Sequence, residues 1–513
     1  MRNTPTVVIC GAGAAGLTLA IELARRGVAF RLLEQRAEPF HGSRGKGIQP
    51  RSQEIFEDMG ILDRLFATGG TYPVARAHHA DGSSLDTVVL EGGAATPAEP
   101  YRLPLMVPQF MTEAVLRERL MELGHAVEFG HALIGFEQAA DGIAIRVSTP
   151  AGEQVFQTQY LIGADGGRSF VRHALGIGFP GKTLGVRAVV ADIALQGLPR
   201  DAWHNFNESD MARRISLCPL MGTDLFQLQA PVPLEGEVDL SVEGLGAMLR
   251  ERTGRDDLSI HGVSWASAYQ MNARLADRFR AGRVFLIGDA AHTHPPTGGQ
   301  GLNTSAQDAY NLGWKLACVL QGAPDTLLDT YEQERRPVAA AMLGLSTRLL
   351  EEATRGQNRR GRDVQQLDLR YQDSVLSLPA TARAGRIMPG DRAPDARLHG
   401  AGGQPRRLFD LFRGTHWSLL GYPTDRATVP SRGGLQVHVI GPGAELRDVD
   451  GHFTHAYGVE PGEWVLVRPD GYVAAVVGEE RINVLMEHFE QYCCAKPVPA
   501  SKPHPPATAS GRA

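Results

Sequence analysis

The sequence predicts an α/β fold in three parts: a Rossmann-like domain, a mostly antiparallel β-sheet inserted into it, and a small α/β domain at the C-terminus. The chain opens with a strand, a glycine-rich turn and a helix. Between residues 186 and 270 it shows short alternating apolar runs, which are typical of antiparallel strands. A stretch rich in Pro, Gly, Arg and Ala at 380–394 then precedes renewed strand signals, so we place a linker there.

The opening of the chain has the pattern of a βαβ unit. Residues 6–10 form a β-branched run, 14–26 have helical apolar spacing that ends at Gly27, and 29–34 are strand-like again. The intervening turn reads Gly-x-Gly-x-x-Gly. The first glycine permits a tight turn, the second lets the backbone approach a pyrophosphate, and the third lets the helix pack on the sheet.

An acidic residue completes this fingerprint. Glu34 ends the second strand about 20 residues after the glycines, where a carboxylate can accept hydrogen bonds from a ribose diol. The turn therefore predicts a bound dinucleotide, although it does not choose between NAD and FAD. The predicted contacts are Gly11, Gly13, Ala14, Ala15, Gly16, Glu34 and Gln35.

Periodicity assigns most of the remaining chain. Strands are expected at 215–219 and 225–230, joined by a turn at 222–224, and in the C-terminal part at 417–421, 437–440 and 464–467. A strand is also expected at 283–287, and 127–162 is interpreted as strands joined by turns. Helices are predicted at 51–65, 111–123, 303–320 and 327–360.

These elements suggest domain boundaries. Residues 1–185 and 271–380 form one discontinuous domain, with 73–100 contributing in part to the side that would hold a substrate. Residues 186–270 form the inserted sheet domain, and 395–494 form the C-terminal domain. The tail at 495–513 is rich in Pro, Ser and Ala and is expected to be disordered.

Composition excludes several classes of partner. The 513 residues carry a formal net charge of -5, which provides no broad positive field for nucleic acid. The 5 cysteines show no spacing suited to zinc, so no metal is expected, and reduced thiols favour a cytoplasmic protein. No stretch has the roughly 18 to 20 apolar residues of a membrane span.

Two further motifs identify the dinucleotide. Residues 160–169 read YLIGADGGRS, and 283–292 read RVFLIGDAAH, followed by PPTGGQGLN at 295–303 and DAYNLGWKL at 308–316. These runs resemble the Asp-Gly and Gly-Asp motifs of the group A flavoprotein aromatic hydroxylases, which have the para-hydroxybenzoate hydroxylase fold. The three motifs occur in the family's order, and the resemblance is nearest to phenol, polyketide and antibiotic hydroxylases.

The resemblance implies FAD as the cofactor. It implies that Asp289 contacts the ribityl chain and that the segment from Asp165 to Arg168 supports both FAD and the nicotinamide pyrophosphate. The helix that starts near Gly301 is expected to direct its N-terminal amides at the flavin, where reduction places negative charge. The cofactor-binding residues implied in this way are Arg44, Gln109, Asp165, Gly166, Arg168, Gly288, Asp289, Pro296, Gly299, Gly301, Leu302 and Asn303.

The resemblance also implies the reaction. NADPH or NADH would reduce the flavin from a shared cleft, since GAGG at 400–403 has no preceding strand or following helix in register and so is not a convincing second dinucleotide turn. Oxygen would then form a flavin C4a-hydroperoxide that hydroxylates a phenolic or polyketide-like ring. Pro295 is expected to wall the pocket, and His204 and Tyr269 are candidates for a base that deprotonates the substrate, each with an alternative structural role.

The C-terminal segment resembles the thioredoxin-like appendage of the same hydroxylases at RPDGYV, residues 468–473. It has no Cys-x-x-Cys pair, so disulfide exchange is not expected. The expected roles are packing, a homodimer contact or support of the pocket.

Two other functions remain open at this point. A flavoprotein reductase or dehydrogenase of the same fold would not insert oxygen, and a flavin-bound sensor would not turn over at all. The Trp-x-Trp-x-Ile-Pro signature of flavin halogenases is absent, because Trp265 is followed by Ala-Ser-Ala.

Overall fold

The computed structural model describes residues 5–88, 90, 92–210, 212–354, 360–380 and 385–493. The predicted tail at 495–513 lies outside these residues. The α/β prediction is confirmed, since parallel, antiparallel and mixed sheets are combined with helices along the chain. Within the described ranges, no helix is both long enough and apolar enough to cross a lipid bilayer.

A six-stranded sheet forms the centre of the N-terminal part. Its middle strand, Val7–Cys10, is fully buried and pairs in parallel with the strands on both sides. Such burial on both faces explains its uninterrupted apolar sequence. In spatial order the strands are Arg280–Ala281, Val284–Leu286, Tyr160–Gly163, Val7–Cys10, Phe30–Glu34 and Glu128–Phe129.

Helices cover this sheet. The first helix packs closely against the helix Gly301–Leu320, because a Cβ on Gly313 would lie only 2.7 Å from the Cβ of Glu22. The single helix predicted at 51–65 is wrong: the chain forms two helices, since Gly60 adopts φ +74° between them. The helices of the N-terminal part are Ala14–Arg25, Pro50–Asp58, Leu62–Thr68, Gln109–Glu122, Phe170–Ala174, Val242–Thr253, Gly301–Leu320 and Asp329–Thr354.

An eight-stranded, mostly antiparallel sheet lies beside this unit. One pair of neighbours, Val74–His78 and Ala202–Phe206, is parallel. The helix Val242–Thr253, which the sequence did not predict, buries Leu245 and Leu249 against the sheet. In spatial order the strands are His292–Thr293, Ser259–Leu275, Gly181–Gln196, Phe226–Val232, Ile215–Pro219, Ala202–Phe206, Val74–His78 and Ser84–Thr87.

Two small sheets complete the N-terminal part. One is an antiparallel meander whose strands are Ala132–Gln138, Ile143–Thr149 and Gly152–Thr158. The other joins three short strands, Gly47–Ile48, Leu105–Met106 and Gly70–Thr71.

The C-terminal part contains its own four-stranded sheet in the order Leu435–Val439, Trp417–Tyr422, Glu463–Val467 and Val473–Gly478. The first pair is parallel and the others are antiparallel. A second sheet has the order Pro405–Arg407, Arg397–Gly400 and Leu446–Arg447. The helices are Leu408–Phe412, His452–Tyr457 and Ile482–Tyr492.

The second glycine-rich run, at 400–403, lies in a hairpin of that second sheet. A strand does precede it, contrary to the sequence interpretation, but the chain then returns as an antiparallel strand instead of entering a helix. This geometry provides no helix N-terminus for a pyrophosphate.

A buried ionic network fastens the C-terminal part to the helices. Glu334 accepts hydrogen bonds from Lys315 Nζ at 2.6 Å and from both terminal nitrogens of Arg468 at 2.6 and 2.9 Å. Arg468 Nε also donates to Asp470 at 2.9 Å. All four side chains are at most 1% exposed. Burial opposes ionisation of Glu334, but Arg468 and Lys315 hold its pKa well below the usual range.

We expect Glu334→Gln to destabilise the protein by about 3 kcal/mol, because it leaves two buried cations without their shared carboxylate. Glu122→Gln is the matched control, since Glu122 also contacts two arginines, Arg64 and Arg119, but at the exposed surface. That change should cost far less stability, because solvent screens the exposed ion pairs of Glu122. Thermal unfolding of both variants beside the parent chain measures the difference.

The contribution of Glu334 to the stability of the protein depends on pH in a defined direction. Since the pKa of Glu334 is depressed by folding, the stabilisation is complete above the unfolded value of about 4.3 and is lost as the pH falls below it. Equal unfolding midpoints for the two variants at neutral pH would contradict the assigned role of the network.

Candidate active site

The glycine-rich turn leaves the carboxyl end of the central strand. Gly11 has φ +105°, and a Cβ there would lie 2.2 Å from the carbonyl oxygen of Ala164. A Cβ on Gly16 would lie 1.9 Å from the carbonyl oxygen of Gly11. At Gly13 the nearest atom to an added Cβ would be Glu113 Oε1, at 3.8 Å. Two glycines therefore serve close packing, whereas Gly13 borders open space.

The helix that follows begins at Ala14, so the amides of Ala14 and Ala15 lie in its first turn, where backbone donors lack partners within the helix. Glu34 lies beside this turn: its carboxylate accepts from Ala12 N and from Arg36 N, each at 3.0 Å. A carboxylate has about four acceptor positions, so sites remain for a ligand. Gln35 is exposed next to it.

The three sequence motifs meet at this turn. The second motif touches the first through Ala164, as described above. A Cβ on Gly163 would lie 3.0 Å from the side chain of Leu286, which brings the second and third motifs together. At Gly288 an added Cβ would lie 3.1 Å from the Cβ of Ala15. Three segments that are distant in the sequence therefore form one cleft.

Asp165 has an unsatisfied oxygen in this cleft. Its Oδ2 accepts from Val171 N at 3.1 Å, whereas Oδ1 is buried and has no hydrogen-bond partner among the described residues. Burial raises the pKa of this carboxyl. Gly166 follows with φ +78° and open space where a Cβ would be, and Arg168 is exposed. A ligand hydroxyl or amide is the partner this oxygen needs.

Asp289 is accessible from the cleft. Desolvation by the surrounding protein raises the pKa of its carboxyl, and the neighbouring His292 and Arg44 side chains oppose that rise. The preceding turn is fixed by Asp308, which accepts from Gly288 N at 3.2 Å and from His292 Nε2 at 2.6 Å. Arg335 Nε donates to the other oxygen of Asp308 at 2.8 Å. This fully buried group holds Asp289 in place.

The loop that carries Arg44 forms another wall. The Arg44 guanidinium is exposed and lies 5.8 Å from the ring of Trp265. Gln109 opens the helix Gln109–Glu122, and its Oε1 accepts from Gly45 N at 3.3 Å. Leu302 packs at the same point, 3.8 Å from the position of a Cβ on Gly45.

The start of the helix Gly301–Leu320 closes the cleft. Asn303 Nδ2 donates to the carbonyl oxygens of Gly47 at 2.8 Å and Gly299 at 2.7 Å, and its Oδ1 accepts from Gln49 N at 2.8 Å. Gly299 has φ +63°, which a side chain would strain. Of the two prolines before this turn, Pro295 is buried and Pro296 is exposed.

The two base candidates occupy different environments. His204 is fully buried, and both ring nitrogens have partners: Nδ1 meets His78 Nε2 at 2.9 Å and Nε2 meets the Pro199 carbonyl at 2.9 Å. Tyr269 is only partly buried, and burial raises its pKa to about 12 despite the opposing charge of Arg44. Tyr269 is therefore neutral at physiological pH and can donate a hydrogen bond there. These contacts support neither residue as the base.

Sequence reasoning missed several side chains near the cleft. Glu113 is 2% exposed, and its Oε1 accepts from Gln109 Nε2 at 2.9 Å. Its position four residues after Gln109 places both on one helical face, which was the available signal. Lys46, Tyr72 and Arg360 gather only through tertiary folding, so spacing could not reveal them.

The cleft fits FAD. Gly13 offers space at a helix N-terminus for a pyrophosphate, and Asp165 and Asp289 offer acceptors for hydroxyl or amide groups. Among the described residues, no three His, Cys, Asp or Glu side chains are grouped as a metal site.

Comparison with known proteins agrees with this geometry. Residues 4–346 match the family model described as FAD binding domain, and residues 386–493 match the model described as aromatic-ring hydroxylase, C-terminal. A flavin-dependent monooxygenase of Mycobacteroides abscessus is 41% identical over 482 residues, which cover 93% of this chain and 98% of that protein.

Solved structures give the same result. The flavin-dependent monooxygenase PieE, in complex with FAD and substrate, superposes with a TM-score of 0.83 at 28% identity, covering 95% of this chain and 99% of PieE. Aklavinone-11 hydroxylase, in a ternary complex with FAD and aklavinone, gives 0.82 at 26% identity, covering 96% and 99%. The chain therefore belongs to the FAD-binding aromatic-ring hydroxylases and is a flavin-dependent monooxygenase.

Proposed function

We propose that this monooxygenase uses NADPH or NADH and O₂ to hydroxylate a phenolic, polyketide-like ring. One observation carries the proposal: the glycine-rich turn, Asp289 and the start of the helix at Gly301 meet in a single cleft beside the eight-stranded sheet. Such a cleft places a flavin between a nucleotide cradle and a substrate wall. The ring system of aklavinone in a related enzyme supports the polycyclic class.

When bound, FAD would accept electrons from the nicotinamide and activate oxygen for transfer to the ring. The protein's residues would orient and shield this chemistry. The amides after Gly13 would hold the pyrophosphate, Glu34 the adenosine ribose, and Asp289 the ribityl hydroxyls. Arg44 would neutralise phosphate charge from the exposed loop.

The helix start would act on the flavin ring. The first amides of Gly301–Leu320 lack partners within the helix, and their dipole would stabilise negative charge on the reduced flavin. Buried Pro295 would contribute a stiff wall that excludes water from the reacting atoms. Tyr269 would donate a hydrogen bond to a substrate oxygen instead of removing a proton.

Turnover assays test this function. The purified protein should be yellow, and a phenolic polycycle such as emodin should raise its NAD(P)H and oxygen consumption at least tenfold while a hydroxylated product forms. Turnover that persists without oxygen would instead show a dehydrogenase, and absence of any turnover across a panel of phenols and quinones would favour a sensor.

Glu113 makes FAD affinity depend on pH. Its carboxyl borders the space beside Gly13, and burial raises its pKa to about 7, with the Glu34 charge acting in the same direction. Gln109, Arg117 and Arg36 oppose that rise. Below pH 7 the carboxyl is neutral and can bond to the pyrophosphate, whereas above pH 7 its charge repels it.

We therefore expect the Kd for FAD to increase about tenfold between pH 6 and pH 8.5. This assumes that FAD binding raises the pKa of Glu113 by about one further unit, which corresponds to a tenfold change in affinity. Glu113→Gln should remove this dependence, while Glu118→Gln, at an exposed position of the same helix, should keep it. Quenching of flavin fluorescence on titrating apoprotein measures the Kd. A pH profile unchanged in Glu113→Gln would refute the role of this carboxyl.

A further inference from the structure

A second group of polar side chains lies between the Arg44 loop and the eight-stranded sheet. Lys46 is 8% exposed, and its Nζ donates to Gln227 Oε1 at 2.7 Å. The same ammonium lies 4.3 Å from the ring centre of Trp203. The Arg360 guanidinium approaches that ring from 6.0 Å. The two cationic side chains, Lys46 and Arg360, therefore lie close to the same aromatic ring inside the protein.

This group adjoins the cofactor cleft. Gly45 faces Gln109 and Leu302, which are on the cofactor side of the loop. The next residue, Lys46, reaches the sheet instead, through its contacts with Gln227 and Trp203. One residue further, a Cβ on Gly47 would lie 2.7 Å from the hydroxyl of Tyr72. The loop therefore lies between the cofactor cleft and the group around Trp203, and its consecutive residues contact opposite sides.

The described residues offer little negative charge to this group. Cys218 and Asp192 both favour the charged form of Lys46, but Asp192 already accepts from the amide and the hydroxyl of Ser43. Arg360 forms no ion pair with any carboxylate of the described chain, and the acidic groups near it are the weak acids Tyr72 and Cys218. Burial lowers the pKa of Lys46 and that of Arg360. An interior that penalises two cations in this way favours a bound anion.

The group also retains accessible surface. Tyr72, Trp203 and Arg360 are each only partly buried, although burial raises the pKa of Tyr72 above its usual range. No described residue forms a hydrogen bond with the Tyr72 hydroxyl, which leaves it available as a donor. The accessible part of each side chain can therefore contact a small molecule.

We propose that Lys46, Tyr72, Trp203 and Arg360, the anion pocket, bind a negatively charged oxygen substituent of the aromatic substrate. Trp203 would pack against the substrate's ring system, while the two cations and the Tyr72 hydroxyl would hold a carboxylate or an ionised phenol. The inference rests on the proposed function and narrows its substrate class to acidic polycyclic aromatics. The four residues act in binding and orientation and take no part in oxygen activation.

Calorimetry of the FAD-loaded enzyme, without nicotinamide, tests this directly. Rhein and aloe-emodin share one dihydroxyanthraquinone frame, but rhein carries a carboxylate where aloe-emodin carries a hydroxymethyl group. At pH 6.5 the wild type should bind rhein at least tenfold more tightly than aloe-emodin. Lys46→Met and Arg360→Met should each remove most of that preference, whereas Lys182→Met, at an exposed position of the sheet, should keep it.

A second arm tests the other source of negative charge. If an ionised phenol is the group held, the affinity for aloe-emodin should increase about tenfold between pH 6.5 and pH 9 in the wild type, and this increase should be lost in Lys46→Met. FAD content and thermal unfolding show whether each variant is folded. If Lys46→Met does not fold, Arg360→Met takes its place in both comparisons.

Either arm supports the anion pocket. The proposal is overturned if the wild type neither prefers rhein nor binds aloe-emodin more tightly at the higher pH. It is also overturned if both variants behave like the wild type, which would make the contact between Lys46 and Trp203 purely structural. Because binding is measured without turnover, a negative result here leaves the proposed hydroxylation intact. Failure of the hydroxylation would appear separately, as turnover that does not require oxygen.

Discussion

The hydrogen bonds of Asn303 are the constraint on which the site depends. One side-chain amide joins the carbonyl of Gly47, the carbonyl of Gly299 and the amide of Gln49, so that a loop near the N-terminus is fixed to the start of a helix some 250 residues later. The cofactor face and the sheet face of that loop are then set together. A shift of Asn303 would move Gly45 away from Leu302 and Lys46 away from Trp203 at the same time.

The protein therefore separates two tasks across one loop. On one side, helix N-termini and carboxylates offer donors and acceptors suited to FAD, which supplies the redox chemistry. On the other side, the cationic side chains of Lys46 and Arg360 lie near the ring of Trp203, a residue of the eight-stranded sheet. The C-terminal part contributes through Arg468, which donates to the same Glu334 carboxylate as Lys315, a residue of the helix whose first turn contains Asn303. Its attachment stabilises the helix whose first turn closes the cleft.

Local patterns were sufficient for much of the fold. The βαβ opening and the strand Ile215–Pro219 follow from periodicity and glycine placement, because neighbouring residues determine them. The helix pair around Gly60 was predicted as one helix, since apolar spacing continues across a glycine whose positive φ only the structure reveals. The helix Val242–Thr253 was missed inside a region of strand signals, where packing of Leu245 and Leu249 on the sheet stabilises it.

The site divides in the same way. Motif residues such as Gly13 and Asp289 could be proposed from the sequence, because each lies in a short motif of neighbouring residues. Lys46 and Arg360 were not, because they meet only when a loop, a sheet and the segment after a long helix are assembled. The pair His78 and His204 shows the converse: His204 was a candidate base because it lies in the expected substrate domain, but tertiary folding supplies protein partners to both of its ring nitrogens.

Isotope labelling tests the central claim most directly. Turnover of an aromatic substrate under ¹⁸O₂ in ordinary water, followed by mass spectrometry of the product, reports the source of the new oxygen atom. A flavin-dependent hydroxylase predicts a product heavier by one ¹⁸O atom for each hydroxyl introduced. A product that carries no label, or that takes its oxygen from water, would contradict the assignment.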